Sequence, residues 1–186
     1  MIIITSCEEL DLDSLISSQA YTHFLSQKGE KTTHMQHVAL SDFQKEVFDM
    51  CKLKSPELFD LKKNLDDAKF IIVNPYSIET LHPSISPRNI EGVMGKKKPQ
   101  YIDEFNFKRT HLEEVECFST LIAEKFMHTK TPIDPHIASL LIIGIVLTLN
   151  GLEENITTNR DFVALEYLQK HSHLSRDQII PLINKL

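Results

Sequence analysis

Two aspartates separated by a single residue, Asp11 and Asp13, follow an apolar segment at the amino terminus. Carboxylates at this spacing, where a strand turns into a helix, suit the coordination of Mg²⁺ or Mn²⁺ by oxygen. Glu8 and Glu9 stand just before them. The competing interpretation is that Asp11 or Asp13 caps the helix and the glutamates are solvated. Spacing alone favours this second interpretation.

A run of lysines in a loop-rich stretch forms the second candidate site: Gly95, Lys96, Lys97 and Lys98. Ammonium groups, together with a backbone N–H beside a glycine, can bind a phosphate without a metal. Two alternatives are open: Lys96 pairs with Asp11 or Asp13, or the run is a solvated turn. We predict phosphate binding by the three lysines.

Cys7 ends the first apolar segment, where the start of a helix can activate a thiol as a nucleophile. A buried and inert cysteine is the commoner outcome at such a position. The three cysteines are odd in number and widely spaced, which predicts a reducing compartment and a cytoplasmic location. The nine histidines show no spacing typical of a zinc site. No side chain is therefore assigned as catalytic from its type and spacing.

The elements that must position these groups alternate between short apolar runs and amphipathic segments, a pattern typical of β-α-β units around a parallel sheet. The predicted strands are 1–5, 32–40, 69–73 and 90–94. Such sheets bind ligands outside the carboxyl ends of their strands. We therefore expect the functional site to be formed by the loops 6–14, 74–77 and 94–99. We expect an α/β fold with a mainly parallel sheet, helices on both faces and a helical carboxyl terminus.

Capping patterns predict where several helices begin. Segments 41–44 (Ser-x-x-Gln) and 110–113 (Thr-x-x-Glu) match capping boxes, and the Ser-Pro pair at 55–56 suits a first helical turn. Apolar spacing or a continuous apolar run predicts further helices over residues 12–29, 137–146 and 160–186. These helices would cover the sheet and close the fold.

The composition limits the class of protein. With 186 residues, of which 41% are hydrophobic, one domain over residues 1–186 is the default. A net charge of −6 gives no overall attraction to nucleic acid or to an anionic membrane. The longest apolar run, 137–149, is shorter than a bilayer requires. We therefore expect no membrane insertion, and the composition gives no strong signal for nucleic-acid binding.

Residues 5–14, with the helix that follows, resemble the first motif of the DHH family of phosphoesterases, which includes manganese-dependent inorganic pyrophosphatases and exopolyphosphatases. The family has a histidine, a few residues, and then Asp-x-Asp with a small residue after it. Asp11 and Asp13 match this pattern, whereas Cys7 stands at the histidine position. The resemblance implies that the two aspartates derive from a metal site.

The remaining family motifs are also altered. The second is a strand that ends in a metal-bridging aspartate, and the matching strand here ends in Asn74. The Asp-His-His signature falls on Gly95, Lys96 and Lys97. Residues 140–161 resemble the fourth motif and its threonine-rich sequel, which places Thr148 at the last metal-binding aspartate. The resemblance covers nearly the whole chain, without the second domain that normally follows.

The family mechanism implied by the resemblance is two-metal hydrolysis of phosphate bonds. Only Asp11 and Asp13 remain as ligands, so we predict a catalytically impaired domain that binds a phosphorylated ligand or a protein partner in the old cleft. The alternative is an active phosphoesterase that hydrolyses pyrophosphate, polyphosphate or short oligonucleotides with these two aspartates. We expect no cofactor, with one Mg²⁺ or Mn²⁺ as the alternative, and a homodimer or a partner chain is a further option.

Overall fold

The computed structural model describes residues 1–6, 11–59, 67–75, 81, 83, 85–96, 107–183 and 185. In these residues there are six strands: β1 (Ile2–Ser6), β2 (Thr32–Gln36), β3 (Glu57–Leu58), β4 (Lys69–Val73), β5 (Ile90–Gly95) and β6 (Arg109–Leu112). The helices are α1 (Leu12–Gln27), α2 (Asp42–Met50), α3 (Phe118–Thr129), α4 (Pro135–Thr148), α5 (Asn159–Gln169) and α6 (Arg176–Ile183). The chain divides into two compact units, residues 1–39 with 56–114 and residues 40–55 with 115–186.

The first unit is built on a six-stranded sheet in the order β3-β2-β1-β4-β5-β6. Every neighbouring pair is parallel. The central strands β1 and β4 are rich in isoleucine and almost entirely buried, as strands covered on both faces require. Because the chain order changes direction between β1 and β4, their carboxyl ends form the place where such sheets usually bind ligands.

Helix α1 joins β1 to β2 and contacts both strands. Small polar residues, including Ser17 and Ser18, are fully buried along it. The Ser18 hydroxyl donates a hydrogen bond to the Ser14 carbonyl oxygen at 2.7 Å, so it is not left unpaired in the interior. Gly29, with a φ of 85°, follows the helix in the left-handed region that glycine adopts without strain. The helix therefore packs closely on the sheet through small side chains.

The second unit is helical. Helix α4 is apolar around nearly its whole circumference and contacts α2, α3, α5 and α6. It begins at Pro135 behind Asp134, whose carboxylate accepts from the His136 backbone N–H at 2.8 Å. Such a helix is stable only when neighbours cover all of its faces, and the other helices of this unit do so.

The expected α/β class, with a mainly parallel sheet and a helical carboxyl-terminal part, is confirmed. The capping box of Ser41 and Gln44 is also confirmed, because each side chain bonds to the other residue's backbone N–H. No helix in the described part of the chain is long and apolar enough to cross a bilayer.

Two helix predictions are wrong. Residues 57–58, just after the Ser-Pro pair, pair with β2 as strand β3. Thr110 lies inside strand β6, paired with Val93, and α3 begins only at Phe118. Both errors share a cause, since local capping patterns were outweighed by hydrogen bonding to a neighbouring strand.

Candidate functional site

Three strand ends lie side by side at the carboxyl edge of the sheet. Ser6 at the end of β1 pairs with Val73 at the end of β4, and Val73 pairs with Met94 near the end of β5. The residues that follow β4 and β5 are Asn74 and Lys96. Helix α1 starts at the same edge, because it follows β1 directly in sequence. This edge brings together polar side chains that are far apart in the chain.

Asp11 is the N-cap of α1. Its Oδ1 accepts from the Ser14 backbone N–H at 2.7 Å, and its Oδ2 accepts from the Ser14 hydroxyl at 2.5 Å. Both carboxylate oxygens therefore serve the first turn of the helix, where a negative charge is favourable. The capping interpretation of Asp11 is confirmed.

Asn74 joins β4 to both α1 and β5. Its backbone has a φ of 52°, a left-handed conformation that asparagine tolerates better than most residues. Its Nδ2 donates to the Ser14 hydroxyl oxygen at 3.0 Å, and its Oδ1 accepts from the Lys96 backbone N–H at 3.4 Å. Asn74 is thus a neutral amide that is hydrogen-bonded on both sides, and its place at a former ligand position stays a prediction.

Lys96 and Asp13 form an ion pair at this edge. The distance between Lys96 Nζ and Asp13 Oδ2 is 2.8 Å, and the two side chains are 21% and 4% exposed. The second carboxylate oxygen of Asp13 accepts from the Ser17 hydroxyl at 3.5 Å. The sequence left open whether Lys96 pairs with Asp11 or Asp13 or lies in a solvated turn, and in the structure it pairs with Asp13.

A two-metal centre does not fit the residues described at this edge. In the described part of the chain, no group of three or more His, Cys, Asp or Glu side chains is arranged to hold a metal ion. Lys96 brings a positive charge to within 2.8 Å of the more buried carboxylate, where a second cation would be repelled. Asn74 supplies no charge to offset a metal. Lys96 balances the charge of Asp13, and the other described carboxylate, Asp11, is hydrogen-bonded in the helix cap.

A chain of hydrogen-bonded polar side chains, most of them buried, runs from Ser6 at the end of β1 through strand β2 to helix α1. The Ser6 hydroxyl donates to Gln36 Oε1 at 3.0 Å, and Gln36 Nε2 lies 2.6 Å from His34 Nε2. On its other side, His34 Nδ1 lies 2.8 Å from Gln19 Oε1. These partners are consistent only with a proton on Nδ1 and a lone pair on Nε2. Burial lowers the pKa of His34 from 6.5 to about 3, so the ring is neutral.

Sequence reasoning missed this chain because His34, Gln36 and Gln19 form no motif, and only the three-dimensional pairing of β1 with β2 brings them together. It also missed the part played by Ser14, although Asp-x-Asp-Ser was a signal for it. The position of His34 and Gln36 on a predicted strand could have indicated buried side chains that need hydrogen-bond partners.

The other predicted site residues are distributed as follows. Cys7, Lys97 and Lys98 lie outside the described residues, as do Glu8 and Glu9, so their roles stay predictions. Thr148 is the last residue of α4 in the second unit. Its former-ligand role likewise stays a prediction.

A separate groove of about 370 Å³ lies in the second unit, between α4, α5 and α6. Its walls are aliphatic and aromatic, with Phe162, Leu165 and Ile180 among them, and Glu166 and Gln169 are its polar lining. The groove contains no basic side chain among its described lining residues. It is therefore unsuited to phosphate, and the carboxyl edge of the sheet is the better candidate site.

No protein-family model matches the chain, and no curated protein matches it. Solved structures are similar to it in fold. One is a Methanococcus jannaschii protein assigned as a family II inorganic pyrophosphatase, with a TM-score of 0.81 and 16% identity over the whole of this chain and 59% of that one. Another is an exopolyphosphatase-related protein from Bacteroides fragilis, with a TM-score of 0.79 and 16% identity over the whole of this chain and 56% of that one. This chain thus spans less than two thirds of either, and the likeness is one of fold.

Proposed function

We propose that this chain is a phosphoesterase-like domain with impaired catalysis, which binds a phosphorylated small molecule at the carboxyl edge of its sheet without a metal. The observation that carries the proposal is the ion pair of Lys96 with Asp13, in a fold similar to that of a pyrophosphatase and an exopolyphosphatase. An ammonium group near the strand ends provides part of the positive charge that metals supply in two-metal hydrolysis.

The charges at the edge support binding of an anion. Asn74 is neutral and the Asp13 carboxylate is offset by Lys96, so a phosphate meets less repulsion than a cluster of bare carboxylates would cause. Lys97 and Lys98 continue the basic run in sequence. An ammonium donor to a phosphate oxygen forms a charge-assisted hydrogen bond, which is stronger than a neutral one.

Impaired catalysis follows from the same residues. Two-metal hydrolysis needs ions that activate a water molecule and neutralise the phosphoryl group. The described residues at the edge offer two carboxylates, one of which is paired with lysine and the other engaged in a helix cap. We infer that the ligand is held and is not turned over.

The test is calorimetric titration of pyrophosphate and short-chain polyphosphate into the protein in EDTA, together with phosphate-release assays in Mn²⁺ and in Mg²⁺. We expect binding in EDTA, weakened about tenfold or more by Lys96→Met because a charge-assisted hydrogen bond is lost. Lys69→Met is the matched control, since Lys69 is an exposed lysine at the opposite end of β4 in the same sheet.

Each alternative result has a definite meaning. Phosphate release that Asp13→Ala abolishes would establish the active phosphoesterase and overturn the impaired one. Absence of binding to either anion would overturn the phosphate site and leave a protein partner as the ligand to seek. Equal losses in Lys96→Met and Lys69→Met would show that only overall charge matters.

A further inference from the structure

We infer that the amino edge of the sheet, at the opposite end of the strands from the candidate site, is a docking surface for long-chain inorganic polyphosphate. Its main feature is a row of four exposed basic residues, called here the amino-edge row: Lys31, Lys69, Arg88 and Lys108. This surface is separate from the site of the proposed function, and its ligand is a longer anion than the small molecule placed at the carboxyl edge.

The sheet itself aligns the four residues of the row. Lys31 immediately precedes β2, and Lys69 is the first residue of β4. Arg88 lies in the short 3-10 helix Pro87–Asn89 just before β5, and Lys108 immediately precedes β6. Because neighbouring strands are all parallel, their amino ends lie at one edge. Adjacent strands are about 4.8 Å apart, so the row extends over roughly 19 Å from β2 to β6.

Backbone hydrogen bonds fix one half of the row. The Ile2 N–H donates to the Lys31 carbonyl oxygen at 2.9 Å, and the Lys69 N–H donates to the Met1 carbonyl oxygen at 3.1 Å. Lys31 and Lys69 therefore flank the start of β1 on its two sides, with their backbones about 10 Å apart. A linear anion that lies along this edge meets the positive charges one after another.

The carboxylates described at this edge do not cancel the charge of the row. The Arg109 side chain, which is not part of the row, pairs with Glu30 at 2.7 Å and with Glu91 at 3.0 Å. Asp67 is an exposed carboxylate beside the start of β4. The described residues of this edge are therefore positive in sum, although the whole chain has a net charge of −6. Salt screens charges over about 8 Å, so the row acts separately from distant acidic residues.

The chemistry of the edge favours an anion without bases. Lysine and arginine donate charge-assisted hydrogen bonds to phosphate oxygens. A nucleic-acid strand gains further affinity from aromatic side chains on which its bases stack. The rings described near this edge are unsuited to stacking, because Tyr21 and Phe24 are 7% and 8% exposed and Phe107 packs against the hydrophobic core. A chain of phosphates requires only the positive charges, so it fits this edge better.

The experiment measures the binding of labelled long-chain polyphosphate to the full chain by fluorescence anisotropy, in EDTA and at several salt concentrations. We expect the wild type to bind, with a slope of log affinity against log salt of about −3, because three or four phosphate contacts release counter-ions. Lys31→Gln combined with Lys108→Gln should weaken binding about tenfold or more and reduce the slope by about two. The corresponding double arginine variant keeps both charges and should bind as the wild type does.

Lys130→Gln combined with Lys170→Gln is the matched control. It removes the same charge from two exposed lysines of the second unit, and it should leave the affinity for polyphosphate nearly unchanged. Circular dichroism shows which variants are folded. Lys69→Gln combined with Arg88→Gln is a second test pair within the row, and we expect a loss similar to that of the first pair.

Equal losses in the test and control pairs would overturn the inference, because overall charge alone would then explain the binding. Absence of binding by the wild type would overturn it as well. Tighter binding of a labelled single-stranded DNA of equal charge would overturn polyphosphate as the occupant. Pyrophosphate and other short chains cannot span the row, so their titration reports on the carboxyl edge. Binding of long-chain polyphosphate without any affinity for pyrophosphate would retain the amino-edge surface and reject the phosphate site of the proposed function.

Discussion

Asn74 Nδ2 donates a hydrogen bond to the Ser14 hydroxyl oxygen at 3.0 Å, across a sequence separation of 60 residues. The same Ser14 hydroxyl donates a hydrogen bond to Asp11 Oδ2. The end of β4 and the first turn of α1 are thereby fixed to each other at the edge where we place the ligand. The side chain of Asn74 and its left-handed backbone make separable contributions to this arrangement.

We expect Asn74→Gly to lower the free energy of unfolding by about 1–2 kcal/mol, because two hydrogen bonds are lost while the backbone remains relaxed. Asn74→Ala should cost about 1 kcal/mol more, since alanine is strained at a φ of 52°. Urea unfolding measures both. Asn150, which has a φ of 47° and is exposed, is the control: only its alanine variant should be destabilised. Equal losses for both Asn74 variants would contradict the assignment of backbone strain.

A double-mutant cycle tests the ion pair of Lys96 and Asp13. We expect Lys96→Met to destabilise the fold by roughly 3 kcal/mol in the absence of divalent ions, because it leaves a carboxylate that is only 4% exposed without its counter-charge. Adding Asp13→Asn should restore a large part of that loss. Urea unfolding in EDTA supplies the four free energies. Simple additivity of the two substitutions would mean that the pair contributes nothing to stability.

Much of the first unit was predictable because its signals are local and strong. The β-branched runs at β1 and β4 marked buried strands, and Ser41 with Gln44 marked the start of α2 correctly. Strand β6 was missed because its residues carry a helix-capping pattern, and only pairing with β5 makes it a strand. Local patterns cannot report an interaction whose partner is elsewhere in the chain.

The candidate site was predictable in composition but not in connectivity. Asp11, Asp13, Asn74 and Lys96 were all singled out from the sequence, since each follows or caps a predicted element. Which of them contact one another depends on strand order and on helix rotation, and these are set by tertiary packing. The sequence therefore leaves the pairing of Lys96 with Asp13 as one of several alternatives, and the tertiary structure determines which of them forms.

The buried ring of His34 predicts a dependence of stability on pH. Burial lowers its pKa from 6.5 to about 3. Between these two pH values His34 is therefore protonated in the unfolded chain but neutral in the folded chain. Stability from this residue is complete above pH 6.5 and is lost progressively as the pH falls towards 3. The free energy of unfolding should fall by up to about 1.4 kcal/mol per pH unit across this range.

Urea titrations between pH 7 and pH 4 of the wild type and of His34→Gln measure this dependence. Glutamine keeps hydrogen-bonding capacity without titrating, so the slope against pH should be smaller in the variant. His128→Gln, which removes an exposed histidine of α3, should keep the wild-type slope. An unchanged slope in His34→Gln would show that other groups cause the acid sensitivity.

Gly92 allows β5 and β6 to approach each other. A Cβ atom at this position would lie 2.6 Å from the Arg109 carbonyl oxygen and 2.8 Å from its Cβ. We expect Gly92→Ala to lower the free energy of unfolding by about 1–3 kcal/mol, because the neighbouring strand must shift. Gly29→Ala provides a contrast in thermal unfolding: it meets no atom within 4 Å, and its cost comes only from a φ of 85°.

The same contact links Gly92 to the salt bridges of Arg109, whose side chain binds Glu30 at 2.7 Å and Glu91 at 3.0 Å. If β6 shifts in Gly92→Ala, these pairs are strained as well. Combining Gly92→Ala with Arg109→Ala should therefore cost less than the sum of the two single losses. Full additivity would indicate that the strand does not move.

The central position of β1 has a consequence for the order in which the chain is made. Ile3 pairs with Thr33 of β2 on one side and with Phe70 of β4 on the other. The ribosome therefore synthesises the strand that pairs with one edge of β1 before the strand that pairs with its other edge. A nascent chain of residues 1–59 carries an isoleucine-rich strand with one edge unpaired, which is a template for association with other chains. Released fragments of residues 1–59 should aggregate, whereas the full chain should not, and light scattering of the two would decide it.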